Sequence, residues 1–224
     1  MSKAIKTGSL SKKTIYIVRH GETDFNRRKI IQGSGVDSEL NEFGRRQATA
    51  FYRQYCEVPF QAVLTSRLVR THQTVAPFIG RGLPWEQFEE INEMNWGLHE
   101  GKPGTPEMIA EYQEIRSQWG LGNYEARIEG GESAAELAER IRRFAAHLRQ
   151  RPEDCLLICS HGRAMSALMS VLKGEELKLM NQYVHDNTGL WKTHFADGFF
   201  HFEVENDTSH LSVPDGKRPA VTGE

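Results

Sequence analysis

The chain has 224 residues, with 28 Lys plus Arg against 30 Asp plus Glu and a formal charge of −2. That balance leaves no chain-wide basic field for a nucleic-acid backbone, and no apolar run approaches the ~20 residues of a membrane helix, so neither nucleic acid nor membrane is an expected partner. The first 13 residues are basic without an apolar core before a small-residue cleavage site; they do not read as a secretory leader, and a cytoplasmic location is expected.

In chain order, Thr14–Val18 is a short β-branched run ahead of Gly21 and reads as a buried strand. A helix is expected over 42–55, a second strand over 60–64 and a helix over 67–79, which Pro77 should kink or end early. Thr105 followed by Pro106 has the form of an N-cap and first helical residue, with Ile109, Tyr112, Ile115 and Trp119 on one face. Ser133-Ala134-Ala135-Glu136 has capping-box spacing, and Leu137, Ile141, Phe144 and Leu148 repeat behind it at helical intervals. Cys155–Cys159 is another continuously apolar strand, followed by a helix over 163–173. Leu190–Phe195 and Phe199–Glu203 flank Ala196-Asp197-Gly198, the pattern of a β-hairpin. Residues 206–224, with Pro214 and Pro219 and little periodicity, read as a mobile tail, as do residues 1–13.

Strands alternating with helices predict an α/β three-layer sandwich. Its central sheet is expected to be mostly parallel, with an antiparallel hairpin near the C-terminus and helices on both faces. One domain is expected over 1–224, its ordered core at about 14–205. Cys56, Cys155 and Cys159 are odd in number and fit neither a disulfide framework nor a CxxC pattern, so reduced, mostly buried thiols are expected.

Chemistry gathers at strand ends. Arg19-His20-Gly21 follows the first strand, and Ser160-His161-Gly162 follows the strand at 155–159. If those strands are neighbours, both imidazoles face one crevice at the carboxyl edge of the sheet, where such folds bind ligands. No HExxH or Cys/His cluster is present and arginines flank the histidines, which argues against a metal and for an anion: Arg19 and Arg70 supply fixed donors suited to phosphate oxygens. No cofactor is expected. His72, His99, His147, His185, His194, His201 and His210 read as surface or ordinarily hydrogen-bonded histidines.

The stretch Arg19-His20-Gly21-Glu22-Thr23-Asp24-Phe25-Asn26 resembles the signature of the histidine phosphatase superfamily, the phosphoglycerate mutase-like family. Gly33–Gln47, Ser66–Thr74, Asn92–Gly101 and Gly130–Ser133 are similar to further motifs of that family, in the family's order. The resemblance implies that His20 is the nucleophile, that Arg19, Arg70 and His161 hold the non-transferred phosphate oxygens, and that Glu93 is the proton donor. It also implies substrate contacts from Asn26 and from Gln32 or Gly33.

The expected substrate is a small phosphorylated metabolite. An imidazole is neutral near pH 7, a phosphohistidine splits one displacement into two, and Glu93 is expected to stay partly protonated so that it can serve the leaving alkoxide. Residues 102–129 are expected to form a lid that sets specificity, offering Lys102, Tyr112, Arg116, Trp119, Tyr124 and Arg127. Because His161-Gly162-Arg163-Ala164-Met165 departs from the usual continuation in phosphoglycerate mutases, hydrolysis is favoured over mutase-type transfer. A non-catalytic phosphate-binding protein is the remaining alternative.

Overall fold

The computed structural model describes residues 12–212. Its one sheet has six strands: β1 (Lys13–Arg19), β2 (Ala62–Thr65), β3 (Trp85–Gln87), β4 (Cys155–Ser160), β5 (Leu190–Ala196) and β6 (Phe199–Asp207), in the spatial order β3-β2-β4-β1-β5-β6. The first four of that order run parallel, and β5 and β6 are antiparallel additions at the β1 edge. The α/β sandwich with a C-terminal hairpin is therefore present as expected. Asp197 and Gly198 both take positive φ, 53° and 86°, which is what a tight two-residue hairpin turn requires.

Both faces of the sheet are covered because the central strands are apolar on both. Ile15 and Ile17 of β1 and Ile158 of β4 join the core under α5 (Ala134–Gln150) and α6 (Gly162–Lys173), while Val18, Leu157 and Cys159 face α2 (Glu42–Tyr55) and α3 (Val69–Ile79). Ser133 caps α5 through its hydroxyl, and Glu136 bonds back to it, completing the capping box. All three cysteines are free thiols, Cys159 fully buried and Cys56 and Cys155 half-buried. Among the described residues no helix is long and apolar enough to cross a membrane.

Several expectations need correction. Helix α3 runs through Pro77 to Ile79: the proline lies in the last turn, where the amide it lacks removes a single ladder bond. Helix α4 (Pro106–Gly120) buries Ile115 and Trp119 but leaves Ile109 48% exposed. The three-residue edge strand β3 is new; its Trp-Glu-Gln sequence is exposed and carries no apolar alternation.

Lys13 and residues 206–212, placed in the expected tails, belong to the described fold. Lys13 is the first residue of β1, and its buried ammonium donates to the carbonyls of Leu148, Arg149 and Arg151, satisfying the orphan acceptors at the end of α5. At the other end β6 continues to Asp207, and a 3-10 turn at Ser209–Ser212 buries His210 against Phe51 and Tyr55. Residues 1–11 and 213–224 of the proposed tails lie outside the described residues.

Candidate active site

Strands β1 and β4 pair in register from Thr14↔Cys155 to Arg19↔Ser160, so the next residue of each, His20 and His161, leaves the sheet at the same edge. Their ring centroids are 5.1 Å apart with planes inclined at 56°. The amide of His20 donates to Ser160 O at 3.0 Å, tying the two strand ends together. Gly21 is needed where it stands: a Cβ there would fall 2.7 Å from the carbonyl oxygen of Gly44, and one on Gly44 would fall 2.0 Å from that of Glu22. Two glycines thus let the start of α2 close against the loop that carries the first histidine.

Partners assign the tautomers. Nδ1 of His20 lies 2.7 Å from Gly21 O, which only accepts, so Nδ1 carries the proton and the lone pair of the neutral ring is on Nε2. In His161 the order is reversed. Nε of Arg70 donates to its Nδ1 at 3.1 Å, and its Nε2–H donates to Ser66 Oγ at 2.8 Å. Burial, then Arg70 and Arg19, hold His20 well below the usual imidazole range; burial and Arg70 do the same for His161. Both rings are therefore neutral at pH 7.

The arginines are fixed from several directions. Arg70 is fully buried, donating from Nη1 to Val36 O at 2.7 Å and from Nη2 to Gly33 O at 3.2 Å besides its bond to His161. Burial draws its pKa down to about 10, against the opposing pull of Glu93, and it stays cationic at neutral pH. Arg19 donates from Nη1 to His185 O at 2.7 Å, while its buried Nε has no partner among the described residues.

Glu93 projects against the start of α6. Its Oε1 accepts from the amides of Met94 at 2.8 Å and Ala164 at 3.1 Å, and Oε2 accepts from that of Arg163 at 3.2 Å. These donors include orphan N–H groups of a helix N-terminus, which hold the carboxylate in one orientation. Glu93 Oε2 and the Arg19 guanidinium both lie within 4 Å of where a Gly162 side chain would begin, so acid and guanidinium share the space that the absent side chain leaves.

His20, His161, Arg19, Arg70 and Glu93 thus come from four separate segments to one place. The three residues expected to contact substrate are each engaged by protein groups. Asn26 chiefly caps the short helix α1 (Asp24–Arg27), its Oδ1 accepting from Thr23 N at 3.2 Å, and Gln32 bonds to Thr23 and Ser38. Gly33 enters through its carbonyl, which steadies Arg70. Because both nitrogens of His161 are engaged by protein, a bond from it to a phosphate oxygen requires Nε2–H to leave Ser66.

Two further residues stand at the site. Asn187 donates from Nδ2 to His20 O at 2.9 Å and to Asn26 Oδ1 at 3.4 Å. His185 is buried, lies 5.3 Å from Trp191 with the ring planes inclined at 52°, and has neither ring nitrogen bonded among the described residues. The signal was the hairpin itself: an antiparallel β5 beside β1 brings the residues just before Leu190 to the carboxyl end of β1, and Val18 indeed pairs with Leu190. Among the described residues no group of three or more His, Cys, Asp or Glu side chains has a metal-holding arrangement.

The sequence profile of the histidine phosphatase superfamily (branch 1) matches residues 15–208. The chain belongs to that superfamily. A curated relative, "Probable phosphoglycerate mutase GpmB" of Yersinia pestis (strain Pestoides F), is 31% identical over 208 residues, covering 89% of this chain and 95% of its own. Among solved structures, the alpha-ribazole phosphatase from Shigella flexneri superposes with a TM-score of 0.76 at 27% identity, covering 87% of this chain and 96% of its own. YhfR of Bacillus stearothermophilus does so with 0.76 at 28%, covering 88% and 98%. The superfamily's phosphate-transferring frame, on the evidence of these relatives, carries either a phosphatase or a mutase activity.

Proposed function

We propose that this superfamily member is a metal-independent phosphomonoesterase that hydrolyses a small phosphorylated metabolite through a phosphohistidine on Nε2 of His20. The observation that carries the reading is the bond from Nδ1–H of His20 to Gly21 O. It leaves the Nε2 lone pair unprotonated on a ring kept neutral by burial and two neighbouring guanidinium groups.

In the first step Nε2 forms a bond to phosphorus while the ester P–O bond breaks, and the departing oxygen takes a proton from Glu93, which enters this step as the carboxylic acid and leaves it as the carboxylate. In the second, water attacks phosphorus, the Nε2–P bond breaks with its electron pair returning to the ring, and the Glu93 carboxylate receives the water's proton. Alcohol and inorganic phosphate are the products. Arg19 and Arg70 offset the charge on the equatorial oxygens; fixed guanidinium donors in a water-poor site supply that stabilisation without reorganising. The Nδ1–H bond to Gly21 O persists as the ring becomes cationic on phosphorylation. Asn26, Gln32 and Gly33 act by shaping the loop and steadying Arg70.

Hydrolysis is favoured because Arg163 follows His161-Gly162 and because a structural relative is named a phosphatase. The relative named a mutase supports a second reading, phosphoryl return to a bound sugar acid.

The test is a panel of phosphorylated metabolites assayed with EDTA present, comparing wild type with His20→Ala and trapping acid-labile phosphoenzyme. Wild type turns over at least one ester and His20→Ala loses both turnover and label. Activity abolished by the chelator, or undiminished in His20→Ala, overturns the mechanism. Isomerisation of a phosphoglycerate faster than its hydrolysis selects the mutase reading, and saturable phosphate binding without turnover selects a binding protein.

A further inference from the structure

A cavity of about 250 Å³ opens beside the candidate active site, lined by Arg19 and Glu93 together with Arg163, Tyr112, Tyr183 and His185. On the mechanism proposed above, the leaving oxygen departs toward Glu93, so the rest of the leaving group occupies this cavity.

Its charge is unbalanced. Glu93 is the single carboxylate on its wall, and that group already accepts from three amides. The Arg163 side chain has no carboxylate partner among the described residues: it donates to Tyr112 Oη and to Asn181 Oδ1. Arg116 shares the same Asn181 oxygen, and the two guanidinium groups lie 5.9 and 5.6 Å from the Tyr112 ring centroid, also without a carboxylate for Arg116. Side chains that could neutralise the cluster are thus replaced by an amide and a phenol, which orient guanidinium groups without cancelling them.

A second observation points the same way. His185 lines the cavity, is 7% exposed, and has neither ring nitrogen bonded among the described residues. Burial, with Arg19 and Arg163 nearby, holds it neutral, its pKa drawn down to about 3. A buried ring with an unanswered N–H costs stability unless something bonds to it, and an anionic oxygen beside Arg163 would do so.

We infer that this cavity recognises a second acidic group on the leaving alcohol, with Arg163 as its cation and His185 as its neutral donor. The substrate class is then a phosphorylated hydroxy acid or a bisphosphate, not a neutral phosphorylated alcohol. Arg163 and His185 are specificity residues, since the phosphorus chemistry runs on His20.

The inference rests on the hydrolytic reading, and three esters on the same three-carbon chain separate the two: propyl phosphate, 3-phosphonooxypropanoate and 1,3-propanediol bisphosphate, with p-nitrophenyl phosphate alongside. Wild type should prefer one or both acid-bearing esters over propyl phosphate in kcat/KM by about tenfold or more, the factor that about 1.4 kcal/mol of differential binding gives. The better of the two identifies carboxylate or phosphate as the group bound. In Arg163→Met, and more weakly in His185→Phe, that preference falls toward one. It is a ratio within one preparation, so a general loss of activity or of folded protein cancels. Equal kcat/KM for the three esters in wild type, or a preference that survives in Arg163→Met, overturns the inference while leaving hydrolysis standing. Hydrolysis of none of the four overturns the hydrolytic reading and the inference with it.

Discussion

Nε of Arg70 stands 3.1 Å from Nδ1 of His161, so a guanidinium donates to the second histidine, and the ring proton is forced onto the far nitrogen toward Ser66. The same Arg70 heads the charges that lower His20. One buried cation thus adds to burial in keeping both imidazoles neutral.

The first consequence concerns pH. Burial with Arg70 and Arg19 puts the folded His20 well below 6.5, so the nucleophile stays unprotonated as the solution is acidified through 6.5. The acid limb of kcat/KM arising from His20 should therefore fall below pH 6.5, and phosphoenzyme should still form at pH 5.5. Arg70→Met removes a positive charge that disfavours the protonated ring, so the limb moves to higher pH while the rate drops. A wild-type limb centred at 6.5 and unmoved in that variant would show that Arg70 does not tune His20.

Ser66 is a positioning residue on this geometry. Its Oγ accepts from His161 Nε2–H and from the amide of Leu68 at 3.1 Å, and it shares a 3.0 Å bond with Thr71 Oγ1. Ser66→Ala leaves a buried ring N–H unanswered, at a cost of about 1–3 kcal/mol, and frees His161 to rotate away from Arg70. The expected result is a kcat/KM lowered by about tenfold, the kinetic equivalent of the middle of that range, with the acid limb displaced as well. A purely structural role would lower the melting temperature and leave the pH profile in place.

How much of this was legible beforehand follows from where the information lies. The two strand-ending histidines are marked by apolar runs that must be buried on both faces and by glycines that follow at once; the pairing of Arg19 with Ser160 then brings the rings together. Strand β3 was not legible, because a three-residue edge strand needs only backbone bonds to β2 and imposes no pattern on its side chains. Nor was the role of residues 206–212. Their composition is polar, and what orders them is a set of long-range contacts: Asn206 bonds to Asp186, Tyr55 Oη donates to Asp207, and His210 Nε2 lies 3.0 Å from Thr188 Oγ1, on the segment whose Asn187 holds the His20 carbonyl. The Ser66 link was hidden for a different reason: a hydroxyl five residues before another hydroxyl says nothing of a histidine 95 positions away.

That C-terminal anchor makes stability sensitive to acid. Burial draws His210 down to about 4 and His185 to about 3, whereas both return to about 6.5 on unfolding. Above 6.5 neither state binds these protons, and the histidines' contribution is fully present. As pH falls below 6.5 only the unfolded chain takes them up, so stability is lost toward the folded values, with a limiting slope of about 1.4 kcal/mol per pH unit for each histidine. Urea midpoints at pH 7, 6 and 5 should fall steadily. His210→Phe keeps a ring against Phe51 and Tyr55 and should make that decline shallower. An unchanged decline in the variant would mean that His210 takes up its proton without unfolding.

Gly44 is where fold and site meet most closely. A Cβ at that position would lie 2.0 Å from Glu22 O and 2.8 Å from Glu22 N, contacts with backbone that no side-chain rotation relieves. Either α2 withdraws, uncovering Phe51 and Ala48 from the core, or the loop carrying His20 and Gly21 moves toward the site. Overpacking of this kind costs about 1–3 kcal/mol. Gly44→Ala should therefore lower the urea midpoint and, because the loop it presses on carries the nucleophile, lower kcat/KM even where the protein is fully folded. Gly162→Ala is the comparison, since its Cβ would meet Arg19 and Glu93 only at ordinary contact distances of 3.6 Å and beyond. If Gly44→Ala matches wild type in both stability and turnover, the close approach of α2 to the His20 loop is not what holds the nucleophile in place.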